Sequence, residues 1–223
     1  MTSSISVNTT TGGTRVPAVE ITGVYGAVLK TFSRRMFGQV PDALGVFWHH
    51  RPVLRFSLGL GQRSARWKEC DEDLKTYAHM ATASLIGCSA CLDLGYFQAH
   101  HRGLDEAKAR EVPRWRESDV FTPLERDVLA YAEAMSQTPP TVTDELSARL
   151  LDRLGAPALV ELTAWIALAN QYARTNVALG IQAQGLAASC GLAPLASPRS
   201  RTSPASPASP TSPTGTSGVA SPA

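Results

Sequence analysis

Apolar residues recur every three to four positions along most of this chain, and no run of β-branched residues with period two interrupts them. From Pro17, "PAVEITGVYGAVLKTFSRRMFG" sets Val19, Val24, Val28, Leu29 and Phe32 at helix-like intervals. Phe37 follows, and Gly38 is the stop. Pro41 opens a short second helix, "PDALGVFWHH", and Pro52 a third that reaches about Gly59 or a little beyond. From Asp71, "DEDLKTYAHMATASLIG" carries acids in its first turn and a stripe of Leu74, Tyr77, Ala78, Ala81 and Leu85. Gly87 breaks that helix, and Cys88 begins the next, which runs to His101.

The second half carries clearer signals. Thr122 and Glu125 make a capping box with Pro123 at the first helical position, opening "LERDVLAYAEAMSQ". Pro139 and Pro140 end it. Thr143 opens another helix that stops at Gly155. A long helix from about Pro157, "PALVELTAWIALANQYARTNVALGIQAQG", is apolar over a wide arc and is expected between neighbours. The pattern predicts an all-α domain of seven to nine helices.

Composition bounds that domain. From Ser197 the chain reads "SPRSRTSPASPASPTSPTGTSGVASPA", with no aromatic residue and no aliphatic larger than Val219. Such a segment cannot bury enough apolar surface to offset the entropy of ordering. It is read as a disordered Ser/Pro-rich tail over 195–223. Residues 1–16, rich in Thr and Ser, are read as a flexible start, which leaves one domain over 17–194.

Lys and Arg number 21 against 19 Asp and Glu, and two of the cations, Arg199 and Arg201, lie in the tail. The body is therefore neutral and has no basic, aromatic-laced patch, which argues against nucleic-acid binding. No basic start leads into an apolar run, and Glu161 breaks the most apolar helix too early for a membrane span. A soluble, cytoplasmic protein is expected. Its thiols would then stay reduced, and a CxxC there is catalytic or metal-binding more often than structural.

The chemistry concentrates in "GCSACLDLGYFQAH". Cys88 falls in or before the first turn of a helix, where unpaired N–H groups and the dipole stabilise a thiolate. Cys91 lies on the same face. Three readings follow: a working dithiol, half of a zinc site, or two small side chains at a tight helix crossing. Zinc needs a second pair of ligands, and Cys70 and Cys190 stand alone in the sequence, so no metal and no cofactor is expected. Farther on, Glu161, Asn170, Arg174 and Asn176 interrupt the apolar last helix. They either tie helices together or line a pocket beside the cysteines, where Glu161 and Arg174 would hold a small acidic or hydroperoxide substrate.

A long helix, a Gly-Cys-x-x-Cys turn and a second helix ending in basic residues and Gly resemble the carboxymuconolactone decarboxylase / alkyl hydroperoxidase D-like superfamily. "GCSACLDLGYFQAHHRGLDEAK" is the core of that resemblance, which covers roughly Pro17 to Leu192. It implies the family's helix–CxxC–helix hairpin. It also implies that Cys91 attacks a peroxide oxygen while Cys88 gives a proton and closes the disulfide. Two family positions do not match. The redox members carry a histidine one turn after the second cysteine, at the place of Gly95, and a glutamate on the preceding helix, at the place of Thr76. Together these relay protons to the thiols. His79 on the preceding helix and Tyr96 beside the vacant place are the candidate substitutes, with Asp93 as a first-turn acid and His100 as C-terminal capping.

The expected function is a dithiol peroxidase that reduces small hydroperoxides with an external thiol reductant. The alternatives are a non-redox lactone decarboxylase-like enzyme and an inactive scaffold member of the family. The resemblance also implies a homo-oligomer.

Overall fold

The computed structural model describes residues 13–196. Most of the Ser/Pro tail and the first twelve residues lie outside the described residues. Among the described residues the chain is helical, without strands: α1 (Gly23–Phe37), α2 (Asp42–Phe47), α3 (Arg51–Ser64), α4 (Glu72–Ile86), α5 (Ser89–His101), α6 (Glu106–Glu111), α7 (Pro123–Ser136), α8 (Asp144–Leu154), α9 (Ala156–Leu179) and α10 (Leu186–Ser189). Two 3₁₀ turns, Trp48–His50 and Val112–Glu117, join α2 to α3 and extend α6. None of these helices is long and apolar enough to cross a membrane.

Capping chemistry places the boundaries. The Asp71 carboxylate accepts from the backbone N–H of Asp73 and Leu74 and starts α4. The Thr122 hydroxyl accepts from Glu125 N–H and the Glu125 carboxylate accepts from Thr122 N–H, closing the capping box of α7. Thr143 caps α8, accepting from Leu146 N–H. The short helices α6 and α10 and the turn after α6 carry too little periodicity to be read from sequence, and they raise the helix count above the expected one.

Helix α4 is the axis of the domain. It packs against α5, α7 and α9, and its residues from Leu74 to Ala78 and from Met80 to Ala83 are all buried. The main core joins Tyr77, Met80, Ala81, Leu129, Ala132, Leu162 and Ile166. Leu85, expected on the buried stripe, is instead 40% exposed at the end of α4.

Helices α4 and α9 run parallel, as their contacts require. Near both starts, buried Lys75 meets Glu161, Nζ to Oε1 2.7 Å, and Trp165 Nε1 donates to Lys75 O. Near both ends, Asn176 reaches the cysteines.

Helix α1 departs from the pattern read in its sequence. Gly26 and Ser33 face inward, while Val24, Val28 and Phe32 are 85%, 63% and 53% exposed. The reason is steric. A Cβ at Gly26 would stand 2.8 Å from Ile21 Cγ2 and 3.2 Å from the Trp48 ring, so only the small-residue face lies this close. The chain before residue 17 also joins the fold: Arg15 N–H donates to Leu179 O, and its guanidinium donates to Val177 O and Ala178 O.

Candidate functional site

The turn between α4 and α5 is built without a linker. Gly87 adopts φ 81°, a left-handed conformation that closes α4 and that other residues adopt at a cost. Gly87 N–H bonds back to Ala83 O and Ser84 O, and Cys88 N–H also returns to Ala83 O at 2.9 Å. Cys88 is at once the residue that ends α4 and the N-cap of α5. Its sulfur accepts from Cys91 N–H at 3.2 Å. Cys88 therefore takes the N-terminal position expected for it, and the Cys91 amide of the first turn faces its sulfur.

Cys88 and Cys91 are joined as a disulfide, with Cα atoms 5.3 Å apart, inside the usual range of about 4.4–6.8 Å. Both are buried: Cys88 retains none of its surface and Cys91 4%. Ala83, Ala173, Ile86, Ala90, Leu92 and Val177 wrap them in hydrocarbon. Two polar groups enter that wrapping. Asn176 Nδ2 stands 3.4 Å from Cys91 Sγ and 3.9 Å from Cys88 Sγ. His79 Nε2 lies 3.3 Å from Cys91 O.

His79 also meets the vacant position. A Cβ built at Gly95 would stand 3.2 Å from His79 Cδ2, 3.7 Å from Nε2 and 2.9 Å from Met80 Cγ. The imidazole of α4 thus occupies the space that a side chain at residue 95 would enter. Burial holds its pKa below the ordinary histidine value, so the ring is neutral at pH 7. Thr76, at the other vacant position, donates its hydroxyl to Glu72 O and receives a hydrogen bond from Arg102 Nη1.

The remaining residues singled out in the sequence are dispersed. Tyr96 lies in the main core, where burial raises its phenol pKa. Glu161 does not join the Cys88–Cys91 pair. Its carboxylate accepts from Lys75 Nζ and from Glu69 N–H at 2.8 Å. Burial pushes that carboxyl up, but these donors outweigh it and hold it below its usual range. Asn170 donates to Ser136 Oγ at 2.9 Å, and Arg174 donates to Ser136 O at 2.7 Å, binding α9 to the end of α7.

Arg174 and Arg15 line a cleft of about 520 Å³ together with Leu85, Ile86 and Val177. Glu161 and Asn170 do not line it. Ile86 and Val177 line the cleft and also pack against the apolar cluster that holds the cysteines.

Two placements had no local signal in the sequence. Asp93, read as a first-turn acid, accepts from the backbone N–H of Gln184, Leu186 and Ala187 and pins the segment after α9 onto α5. Cys190, read as standing alone, is carried by that segment to His100 and His101, and one ligand atom from each lies within 4.8 Å of the others. Cys70, by contrast, is buried beside Glu161. Burial first and that carboxylate second push its pKa up to about 11, so it remains a thiol.

Comparison with known proteins agrees with this architecture. Residues 53–134 match the model of the carboxymuconolactone decarboxylase family. The uncharacterized protein YnjA of Escherichia coli is 36% identical over 155 residues, spanning 69% of this chain and 85% of that protein. Among solved structures, the debrominase Bmp8 in complex with 2,3,4-tribromopyrrole superposes with a TM-score of 0.68 at 20% identity, covering 78% of this chain and 94% of that one. ATU0492 from Agrobacterium tumefaciens, a protein of unknown function suggested to be the antioxidant defence protein AhpD, superposes with a TM-score of 0.58 at 20% identity, covering 61% of this chain and 94% of that one. The all-helical fold, the CxxC turn between α4 and α5, and these matches make the chain a member of the carboxymuconolactone decarboxylase / alkyl hydroperoxidase D-like family.

Proposed function

We propose that this protein reduces hydroperoxides through its cysteine pair. The observation that carries the proposal is the placing of both sulfurs at the leading end of α5, with the Asn176 amide aimed at them. In the reduced protein, the Cys91 thiolate attacks the terminal oxygen of ROOH. The O–O bond breaks, RO⁻ takes a proton to leave as the alcohol, and Cys91 becomes a sulfenic acid. The Cys88 thiolate then attacks the Cys91 sulfur. Hydroxide leaves with a proton as water, and the disulfide closes. Two electrons from an external thiol reductant reopen it by exchange.

The roles of the two sulfurs follow the family resemblance and are supported by exposure, since Cys91 keeps a little surface and Cys88 none. Neutral His79 stands in the space of the missing relay histidine, on α4 instead of α5; its Nε2–H donates to Cys91 O, so Nδ1 is the nitrogen with a lone pair for the thiol proton. Tyr96, in the core, is not assigned a step. Peroxide enters from the cleft when the Ile86 and Val177 side chains part, and Arg15 and Arg174 at its rim favour hydroperoxides that carry a carboxylate. The exposed stripe of Val24, Val28 and Phe32 on α1 supports association of this chain with further copies of itself.

A single-turnover experiment tests the proposal. The reduced parent, given one equivalent of hydroperoxide, is expected to lose both thiols and form the Cys88–Cys91 disulfide by mass spectrometry. Cys88→Ser is expected to stop at a sulfenic acid on Cys91, and Cys91→Ser to consume no peroxide. Variants that consume peroxide as fast as the parent would remove the redox assignment. Because the fold is shared with a debrominase, a brominated pyrrole belongs in the same assay. Turnover of it alone would place the dithiol in reductive dehalogenation.

A further inference from the structure

A second cluster of potential ligands lies at the other end of α5. His100 and His101 stand in its last turn, and Cys190 follows α10. One ring nitrogen of each histidine and the Cys190 sulfur all lie within 4.8 Å of one another. Both histidines carry hydrogen bonds on the same ring atom. His100 Nδ1 is bonded to a Glu106 carboxylate oxygen, and His101 Nδ1 lies 3.0 Å from Phe97 O. An acceptor at each Nδ1 holds the hydrogen there and leaves the lone pair on Nε2, the state in which a neutral imidazole binds a metal. The Phe97 ring packs on His101 with centroids 4.1 Å apart, fixing its plane.

The surroundings suit a cation. Arg102, next in the chain, turns away toward Glu72 and Thr76, so its charge does not oppose one. Cys190 is a free cysteine of intermediate burial, and it is held in place indirectly by the three N–H groups that Asp93 binds. We infer that His100, His101 and Cys190 bind one divalent transition-metal cation, with Glu106 and Phe97 O orienting the two rings. Two imidazoles and one thiolate form a borderline-soft set that matches zinc(II) and leaves a fourth position open to water or an exogenous ligand. Binding forms two metal–nitrogen bonds and one metal–sulfur bond, and the Cys190 proton leaves to solvent. The site is separate from the Cys88–Cys91 pair and does not depend on the peroxidase proposal.

Histidines at a helix end also serve as C-terminal caps, and caps alone predict that Cys190 is indifferent to metal. The test uses the full chain with Cys88→Ser and Cys91→Ser, so that the dithiol cannot compete for the ion. Titration with Co²⁺ is expected to give one tetrahedral site with a thiolate-to-cobalt charge-transfer band that Zn²⁺ erases. One equivalent of Zn²⁺ is expected to protect Cys190 from alkylation. Adding Cys190→Ala should abolish the band and weaken binding at least tenfold. Glu106→Gln should weaken it by about 10–100-fold, as loss of a ring-orienting partner does elsewhere. Circular dichroism identifies any variant that fails to fold, and metal protection of Cys190 in the folded parent background stands independently of the variants. Cobalt bound without a thiolate band, or alkylation of Cys190 unchanged by Zn²⁺, would overturn the inference.

Discussion

Helices α4 and α9 carry a polar cluster at each end of their shared contact, and the two clusters are finished differently. At the leading ends, Lys75 Nζ donates to Trp67 O, Glu72 and Glu161, while Glu161 also takes the Glu69 amide. Every charge there faces an opposite one, since Glu72 also pairs with Lys68 and Arg102, and the strong donors have partners. About 22 Å along α9, the sulfur pair has, among the described residues, the Asn176 amide and the Cys91 N–H as donors, with His79 on the Cys91 carbonyl. A balanced cluster resists a change of charge. A site with neutral donors answers to it, because a thiolate formed there is met by the Asn176 amide and the Cys91 N–H. The same pair of helices therefore locks the fold at one end and leaves room for chemistry at the other.

The largest effect of substitution is expected at the locked end. Lys75→Met leaves Glu161 as an uncompensated buried charge, and urea unfolding should show a loss of about 3–5 kcal/mol. Lys75→Met with Glu161→Leu should recover most of that loss, because paired apolar replacements are often neutral. At the open end the effects should fall on rate. His79→Gln should slow peroxide consumption about a hundredfold or more, the ordinary contribution of a general base. His79→Ala combined with Gly95→His should restore part of it, since the imidazole then approaches from α5.

Asn176→Ala should cost less. A hydrogen bond to a charged group is worth about 1.5–3 kcal/mol, which corresponds to a rise of about one to two units in the thiol pKa and a matching loss of rate at neutral pH. The smallest effect is in the pH dependence of stability. The His79 pKa is lower in the folded state than in the unfolded chain. Its contribution is therefore full above the unfolded value of about 6.5 and is lost as pH falls toward the folded value. Urea midpoints between neutral and mildly acidic pH should fall less in His79→Gln than in the parent.

The layout of the helices was legible because it is written in neighbours. Asp71, Thr122 and Thr143 accept amides two or three residues away, and Gly87 bonds back within its own helix. The CxxC turn is legible for the same reason. The function of single polar residues was not, because their partners are distant in the chain. Asn176 and Cys91, Asp93 and Ala187, and Cys190 with His101 meet only after α9 has folded back across α5. Periodicity misled at α1, where an apolar stripe faces outward and glycine and serine face in. A stripe reports that burial is sought, and says nothing of whether the same chain or another copy supplies it.

The central claim is that a thiolate forms readily at the leading end of α5. The alkylation rate of each thiol in the reduced protein, followed against pH, measures it directly. One of Cys88 and Cys91 should titrate well below the free-cysteine value of about 8.5, and Asn176→Ala should move that value upward. If both thiols titrate at or above 8.5, and Asn176→Ala changes neither, the sulfurs are inert members of a helix crossing and the redox account is contradicted.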